Sequence, residues 1–162
     1  LDVAKGPIPV LAAMALGLGL GVGAAAGLAV VLGQMWPPYL PATGGKGNST
    51  ALAVALALSL PSAGIALVPV VIGVLLRSIR RRSLTGGPPS LSLPLAVLVA
   101  FAVLPVASWT LETPPAVSLS LLLLFVAIVL RRLTAGLRQD WPTASSKMSI
   151  LLNRFLYDRS FR

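Results

Sequence analysis

A polar, glycine-rich segment over residues 43–50 holds the residue types best suited to chemistry in an otherwise very apolar chain. Its three glycines allow the backbone to approach a ligand closely and to turn N–H groups toward it. Lys46 adds a positive charge, and Asn48, Ser49 and Thr50 can cap a helix that begins near residue 51, where anions are favoured. The segment therefore predicts a phosphate-binding site. The alternative is a flexible loop between two membrane helices.

The composition indicates that lipid, rather than water, surrounds most of this chain. Of its 162 residues 56% are hydrophobic and 10% are charged, whereas a soluble domain carries roughly 25% charged residues. The net charge of +9 sits at the ends of apolar runs, which favours a membrane surface over nucleic acid as the partner. Histidine and cysteine are absent, which excludes disulfides and His/Cys metal sites. We expect no metal and no cofactor.

Apolar runs predict an all-α, polytopic integral membrane helix bundle with about six transmembrane segments. A spanning helix needs roughly 20 apolar residues, and the run over residues 8–35 is longer. The glycines between Gly17 and Gly23 divide that run into two helices, and one long tilted helix is the alternative. The six predicted helices cover residues 8–18, 24–35, 51–60, 61–76, 91–109 and 116–130.

The basic residues of the predicted helices and loops fall on one side of the membrane. The three turns on the other side, near Gly19, Pro61 and Glu112, hold no lysine or arginine. Positive loops mark the cytoplasmic side, so we expect a multi-pass protein with both ends and the glycine-rich segment in the cytoplasm. The basic residues on that side are Lys5, Lys46, Arg77, Arg80, Arg81, Arg82, Arg131 and Arg132.

The chain is predicted to have two parts: a transmembrane region over residues 1–136 and a basic tail over residues 137–162. The apolar and polar residues over 150–159 suit an amphipathic helix on the inner leaflet, and a disordered tail is the alternative. In either case Lys147, Arg154, Arg159 and Arg162 favour anionic lipid.

Three motifs, in this order and spacing, resemble bacterial membrane acyl-phosphate:glycerol-3-phosphate acyltransferases (PlsY type). Residues 1–10, Leu-Asp-Val-Ala-Lys-Gly-Pro-Ile-Pro-Val, resemble that family's Asp-x-x-Lys-Gly-x-x-Pro-Val entry. Residues 31–37, Val-Leu-Gly-Gln-Met-Trp-Pro, resemble its Leu-Gly-His-x-Phe-Pro. Residues 44–50, Gly-Gly-Lys-Gly-Asn-Ser-Thr, resemble its Gly-Gly-Lys-Gly-Val-Ala-Thr. The resemblance covers about residues 1–136.

The resemblance implies a seven-helix enzyme of the bacterial inner membrane, here without its first helix, since the chain begins at Leu1 rather than Met. The implied reaction transfers a fatty acyl group from acyl phosphate to the 1-hydroxyl of glycerol 3-phosphate, giving lysophosphatidic acid, with membrane lipid as surroundings and the active site facing the cytoplasm. No catalytic nucleophile is assigned. The implied phosphate-binding residues are Gly44, Gly45, Lys46, Gly47, Thr50 and Lys5, and the candidate substrate contacts are Gln34, Asn48, Ser49, Arg131 and Arg132.

Two departures keep other functions open. Gln34 stands at one of the family's histidine positions and cannot carry a proton at neutral pH, and the family's late His-Arg-x-Asn-Ile motif is replaced by the apolar residues 126–130. An inactive relative with a lipid-binding or structural role is therefore one alternative. A small anion transporter is another, although a transporter usually needs charged groups at mid-membrane.

Overall fold

The computed structural model describes residues 2–39, 44–83, 92–135 and 147–157. In this part of the chain the backbone forms helices connected by short turns, without a strand. The helices are α1 (Asp2–Lys5), α2 (Pro7–Ala15), α3 (Leu20–Met35), α4 (Asn48–Leu58), α5 (Leu60–Ser83), α6 (Ser92–Thr110), α7 (Pro115–Thr134) and α8 (Lys147–Tyr157). The predicted all-α architecture is confirmed.

The first apolar run is divided into α2 and α3 at its glycines. The N–H of Gly17 donates to Met14 O and that of Leu18 to Ala13 O, each at 3.0 Å, which closes the end of α2. Gly17 and Gly19 have φ angles of +69° and +83°, in a region that residues with side chains rarely adopt. The prediction of two helices is confirmed, and a single long helix is excluded.

Helices α2, α3 and α4 approach one another closely because glycines lie where they touch. A Cβ atom on Gly27 of α3 would lie 2.6 Å from Val54 Cγ1 of α4 and 2.9 Å from Val10 Cγ2 of α2. A Cβ atom on Gly6, just before α2, would lie 2.7 Å from Thr50 O. The first turn of α4, which follows the glycine-rich segment, is therefore packed tightly against both neighbours.

Three segments of the described chain are long and apolar enough to cross a membrane: Leu60–Ile79, Leu93–Thr110 and Pro115–Thr134. The prediction of a polytopic membrane bundle is confirmed. Six of the helices match the six predicted segments in place. Helix α2 is shorter than predicted and α3 and α4 are longer, but all three are shorter than the roughly 20 residues of a spanning helix. The 11 residues of α4 cover only about half of a hydrocarbon core of ~30 Å.

One end of the bundle, which we call the loop end, brings together the glycine-rich segment and the ends of several helices. There Gly6 lies beside Thr50 of α4, and side chains from the last turn of α7 reach Gly45 and Pro94 at the start of α6. At the opposite end, Thr113 Oγ1 donates to Ser108 O at 2.9 Å and closes the turn between α6 and α7. The fold therefore gathers the candidate site at one end.

Candidate functional site

Two of the three glycines in the phosphate-loop candidate, Gly44 and Gly47, lie directly against Met35, the fully buried last residue of α3. A Cβ atom on Gly44 would lie 2.0 Å from Met35 O, and one on Gly47 would lie 2.5 Å from Met35 Cε. Gly47 also has a φ of +71°. Because only glycine fits such contacts and such a φ angle, residues 44–47 form a compact turn that is laid directly on the end of α3.

Gln34 ties this loop to α3 and to α4. Its backbone oxygen accepts a hydrogen bond of 3.1 Å from the N–H of Gly45, and its side-chain Oε1 accepts one from Thr50 Oγ1. Thr50 is fully buried, so its hydroxyl faces α3 rather than solvent. The structure thus shows Gln34 joining the end of α3 to the loop and to α4, and places Thr50 behind the loop rather than at its exposed surface.

The two neighbouring arginines at the end of α7 go to different places. Arg131 reaches the loop, where its Nε donates to Gly45 O at 3.0 Å and its second terminal nitrogen donates to Gly44 O. Its guanidinium also lies 5.8 Å from the centre of the Trp36 ring, within the range of a cation–π contact. The predicted association of Arg131 with the site is therefore seen as a contact to the loop backbone.

Arg132 lies away from the loop, in the protein interior. It is 4% exposed and donates to Pro94 O at 2.9 Å and to Phe155 O of α8 at 3.2 Å. In return, Arg154 of α8, 3% exposed, donates to Ala135 O just after α7. The structure thus places Arg132 against the backbone of α6 and α8, and the buried Arg154 against the end of α7. Arg159 and Arg162 lie outside the described residues.

Two lysines lie near the start of α4. Lys46 and Lys5 are both exposed, the first within the loop and the second directly before Gly6, which contacts Thr50. Helix N-termini leave backbone N–H groups without intrahelical partners and favour anions. The fold therefore brings both predicted phosphate-binding lysines to the same helix end.

A cavity of about 200 Å³ opens beside that helix end, between α4, α5 and α6. Asn48 and Ser49 lie at its boundary, and the rest of the lining is apolar. Asn48 Oδ1 is buried without a hydrogen-bond partner among the described residues. Sequence reasoning missed this cavity, because the apolar pattern of each helix does not reveal where three helices leave a gap. The other lining residues are Leu52, Val70, Val97, Ala100, Phe101 and Leu104.

Comparison with known proteins places this chain in a family. The family described as glycerol-3-phosphate acyltransferase matches residues 1–138. The chain belongs to the glycerol-3-phosphate acyltransferase family. No solved structure matches the chain. Helix α8 follows the part of the chain that the family match covers. The hydrogen bonds from Arg132 to Phe155 O and from Arg154 to Ala135 O therefore join the family region to a segment beyond it.

Individual members of the glycerol-3-phosphate acyltransferase family align with much of the chain. A protein named glycerol-3-phosphate acyltransferase 4 from Dehalococcoides mccartyi is 31% identical over 99% of this chain and 66% of its own length. A relative from Halorhodospira halophila is 36% identical over 83% of this chain and 65% of its own length. One from Prochlorococcus marinus is 36% identical over 63% and 50%. The chain thus spans between half and two thirds of the length of these relatives.

Proposed function

We propose that this protein transfers a fatty acyl group from an acyl phosphate to the 1-hydroxyl of glycerol 3-phosphate, which produces lysophosphatidic acid and inorganic phosphate. One observation carries the proposal: the glycine-lysine loop lies at the start of α4, directly beside an apolar cavity, in a chain of the glycerol-3-phosphate acyltransferase family. The loop suits the phosphate of an acyl phosphate, and the apolar cavity suits its acyl chain.

The loop suits phosphate because of its charge and its backbone. Lys46 supplies a flexible ammonium group, and the start of α4 supplies N–H groups and the positive end of the helix dipole. Lys5 adds a second cation from the chain before α2. Two anionic substrates need several positive groups near one another, which a single lysine would not provide. We assign Lys46 and the loop glycines as the main phosphate-binding residues, and Lys5 as the second contact.

The cavity suits the first part of the acyl chain. Leu52, Val97 and Phe101 line it from two helices. An acyl chain bound there would have its polar head near Asn48 and Ser49, next to the loop. About 200 Å³ is too small for a long fatty chain, so the rest of the chain would extend into lipid among the apolar helices. Such an arrangement explains why the site belongs in a membrane protein.

The chemistry needs orientation more than a catalytic nucleophile. The glycerol hydroxyl oxygen attacks the acyl carbon, forms the ester bond, and breaks the bond between that carbon and the phosphate oxygen. The hydroxyl proton is transferred to the leaving phosphate. An acyl phosphate is already activated, so holding the two substrates together and stabilising the developing negative charge supply the main acceleration. Gln34 stands where the family's Leu-Gly-His-x-Phe-Pro motif has histidine. In this reaction its role is to hold Thr50, whose hydroxyl donates a hydrogen bond to Gln34 Oε1.

The expected location is the bacterial inner membrane with the loop end in the cytoplasm. Lys46, Arg77, Arg131 and Arg132 belong to helix ends or loops that the positive-inside rule assigns to that side. We also propose that residues 1–136 form the acyltransferase region and residues 137–162 a cytoplasmic extension. Glycerol 3-phosphate would reach the loop from the cytoplasm, while the acyl donor would enter from the bilayer.

The proposal is tested by an acyl-transfer assay on protein in lipid bilayers, with palmitoyl phosphate and labelled glycerol 3-phosphate. We expect wild type to form labelled lysophosphatidic acid. Lys46→Ala should lower kcat/KM by roughly tenfold to a hundredfold, since hydrogen bonds to charged groups are worth about 1.5–3 kcal/mol. Arg77→Ala is the matched control, because Arg77 is an exposed cation near the end of α5 and should leave the rate within about twofold.

Two results would contradict the proposal. Absence of product from correctly folded wild type would exclude the reaction and favour an inactive, lipid-binding relative, a reading that the structural role of Gln34 also supports. If product forms from palmitoyl-coenzyme A but not from palmitoyl phosphate, glycerol 3-phosphate remains the acceptor and the proposed acyl-phosphate donor is wrong.

A further inference from the structure

Arg131 connects two distant parts of the chain, the last turn of α7 and the loop before α4. Its Nε donates to Gly45 O at 3.0 Å and its terminal nitrogen to Gly44 O. Guanidinium is a rigid, planar fork of donors, so two hydrogen bonds to successive carbonyls hold both the position and the direction of that backbone. A single ammonium group could not fix both.

The direction of these carbonyls determines where the opposite edges of the peptides point. In a trans peptide the C=O and the N–H lie on opposite sides. With Gly45 O turned toward Arg131, the N–H of Lys46 points away from Arg131. With Gly44 O also turned toward Arg131, the N–H of Gly45 points to the other side, where it donates to Gln34 O at 3.1 Å. The loop is thus held between α7 and α3.

Trp36 completes the connection at the end of α3. Its ring centre lies 5.8 Å from the guanidinium of Arg131, two residues after Gln34, which accepts the hydrogen bond from Gly45. A ring face in this position limits the orientations open to the guanidinium. The last residues of α3 therefore support both the loop and the arginine that holds it.

We propose that Arg131 is a positioning residue of the phosphate loop, which orients the peptide of Gly45 and Lys46 so that its N–H faces the substrate phosphate, and that Trp36 holds Arg131 in place. Arg131 acts here through the loop and does not itself bind phosphate. The effect on acyl transfer rests on the proposed function, whereas the effect on loop order does not.

Loop order can be measured without any substrate. Lys46 is exposed and is followed by Gly47, so trypsin can cleave after it when the loop opens. Trp36 reports the Arg131 contact by fluorescence once Trp109→Phe and Trp141→Phe remove the other two tryptophans. In that background we expect Arg131→Ala to speed cleavage after Lys46 by at least about tenfold and to change the Trp36 emission. Arg77→Ala should change neither.

The conservative variant separates positioning from direct phosphate binding. Lysine binds phosphate well as a point charge but cannot reproduce the bidentate fork. If Arg131 positions the loop, Arg131→Lys should remain close to Arg131→Ala in cleavage rate and should lower kcat/KM for both substrates. Trp36→Leu, which keeps Arg131, should give a smaller change in the same direction and no further change when combined with Arg131→Ala.

Each outcome decides the proposal. Cleavage and emission that stay within about twofold of wild type in Arg131→Ala would overturn it. If Arg131→Lys has the wild-type kcat/KM for acyl transfer and the wild-type cleavage rate, Arg131 contacts the substrate directly. That result would also overturn the proposal. If wild type transfers no acyl group, the proposed function fails, and the cleavage and Trp36 measurements still decide whether Arg131 orders the loop. Should Arg131→Ala not fold, Arg131→Lys and Trp36→Leu carry the test.

Discussion

Arg131 and Arg132 show how two adjacent residues of one type can have different roles. Successive residues on an α-helix point about 100° apart, so two neighbouring side chains cannot both face the loop. Arg131 donates to the loop carbonyls, whereas Arg132 donates to Pro94 O and Phe155 O. The sequence analysis gives both residues the same role, as candidate substrate contacts. Helix geometry alone indicates that their side chains point in different directions.

Asn48 is the residue of the candidate site with a buried side-chain oxygen that lacks a hydrogen-bond donor in the described part of the chain. Its Oδ1 has no hydrogen-bond partner within the described ranges, and the resembling motif has valine at this position. A buried acceptor without a donor costs about 1–3 kcal/mol. We therefore expect Asn48→Val to raise the thermal midpoint of the purified protein, measured by intrinsic fluorescence during heating.

Ser49→Ala is the control for Asn48→Val, because Ser49 is the exposed neighbour in the same helical turn and its change should be near zero. A lower midpoint in Asn48→Val would mean that Oδ1 has a partner in the purified protein. If Asn48→Val raises the thermal midpoint and lowers the rate of acyl transfer, Asn48 contacts the substrate. Its unpaired side-chain oxygen then lowers stability in the absence of substrate.

At the scale of helices, two glycines of α3 allow the effect of helix packing on stability to be distinguished from the effect of helix propensity. A Cβ atom on Gly27 would collide with Val54 Cγ1 at 2.6 Å and Val10 Cγ2 at 2.9 Å, whereas one on Gly33 would meet nothing within 4 Å. Valine methyls are stiff, so Gly27→Ala should destabilise the protein by about 1–3 kcal/mol. The matched variant Gly33→Ala should stabilise it by up to about 1 kcal/mol through helix propensity.

Thermal unfolding of both alanine variants, in one detergent and at one protein concentration, measures the difference between the two glycines. Equal effects in the two variants would contradict the close packing of α2, α3 and α4. The chain-wide count of glycines does not predict this difference, because it depends on which helix faces each of them.

Local signals explain which helices were predictable. Gly17 and Gly19, with positive φ angles, mark the break between α2 and α3, and Gly47 marks the start of α4. These are short-range effects that the sequence carries directly. The bounds of the helices were less predictable, since α4 covers Asn48–Leu58 whereas the sequence predicted residues 51–60. The contact of Arg131 with Gly45 and the cavity beside Asn48 depend on tertiary packing and have no local signature.

At the scale of the whole molecule, the loop end joins the candidate site to the C-terminal helix. Arg132 of α7 donates to α8 and Arg154 of α8 donates to the end of α7. Because Arg132 also donates to Pro94 O at the start of α6, α8 is fixed to the two long helices whose ends frame the cavity and the loop. The predicted tail is thus partly helical and packed, with its buried arginine directed inward.

The orientation of the whole bundle is the last prediction, and the absence of cysteine from the chain makes it directly measurable. Glu112 is exposed in the turn between α6 and α7, and Arg77 is exposed toward the end of α5. Glu112→Cys and Arg77→Cys are introduced separately, and cells are treated with a membrane-impermeant maleimide after the outer membrane has been permeabilised.

If the positive-inside rule decides the orientation, Glu112→Cys should react while the inner membrane is still intact, whereas Arg77→Cys should react only after the inner membrane has been opened. Each variant is the control for the other, since both thiols should react fully in detergent. The reverse labelling pattern would place the glycine-lysine loop outside the cell. The loop would then be separated from cytoplasmic glycerol 3-phosphate, which would contradict both the orientation that the basic residues indicate and the proposed reaction.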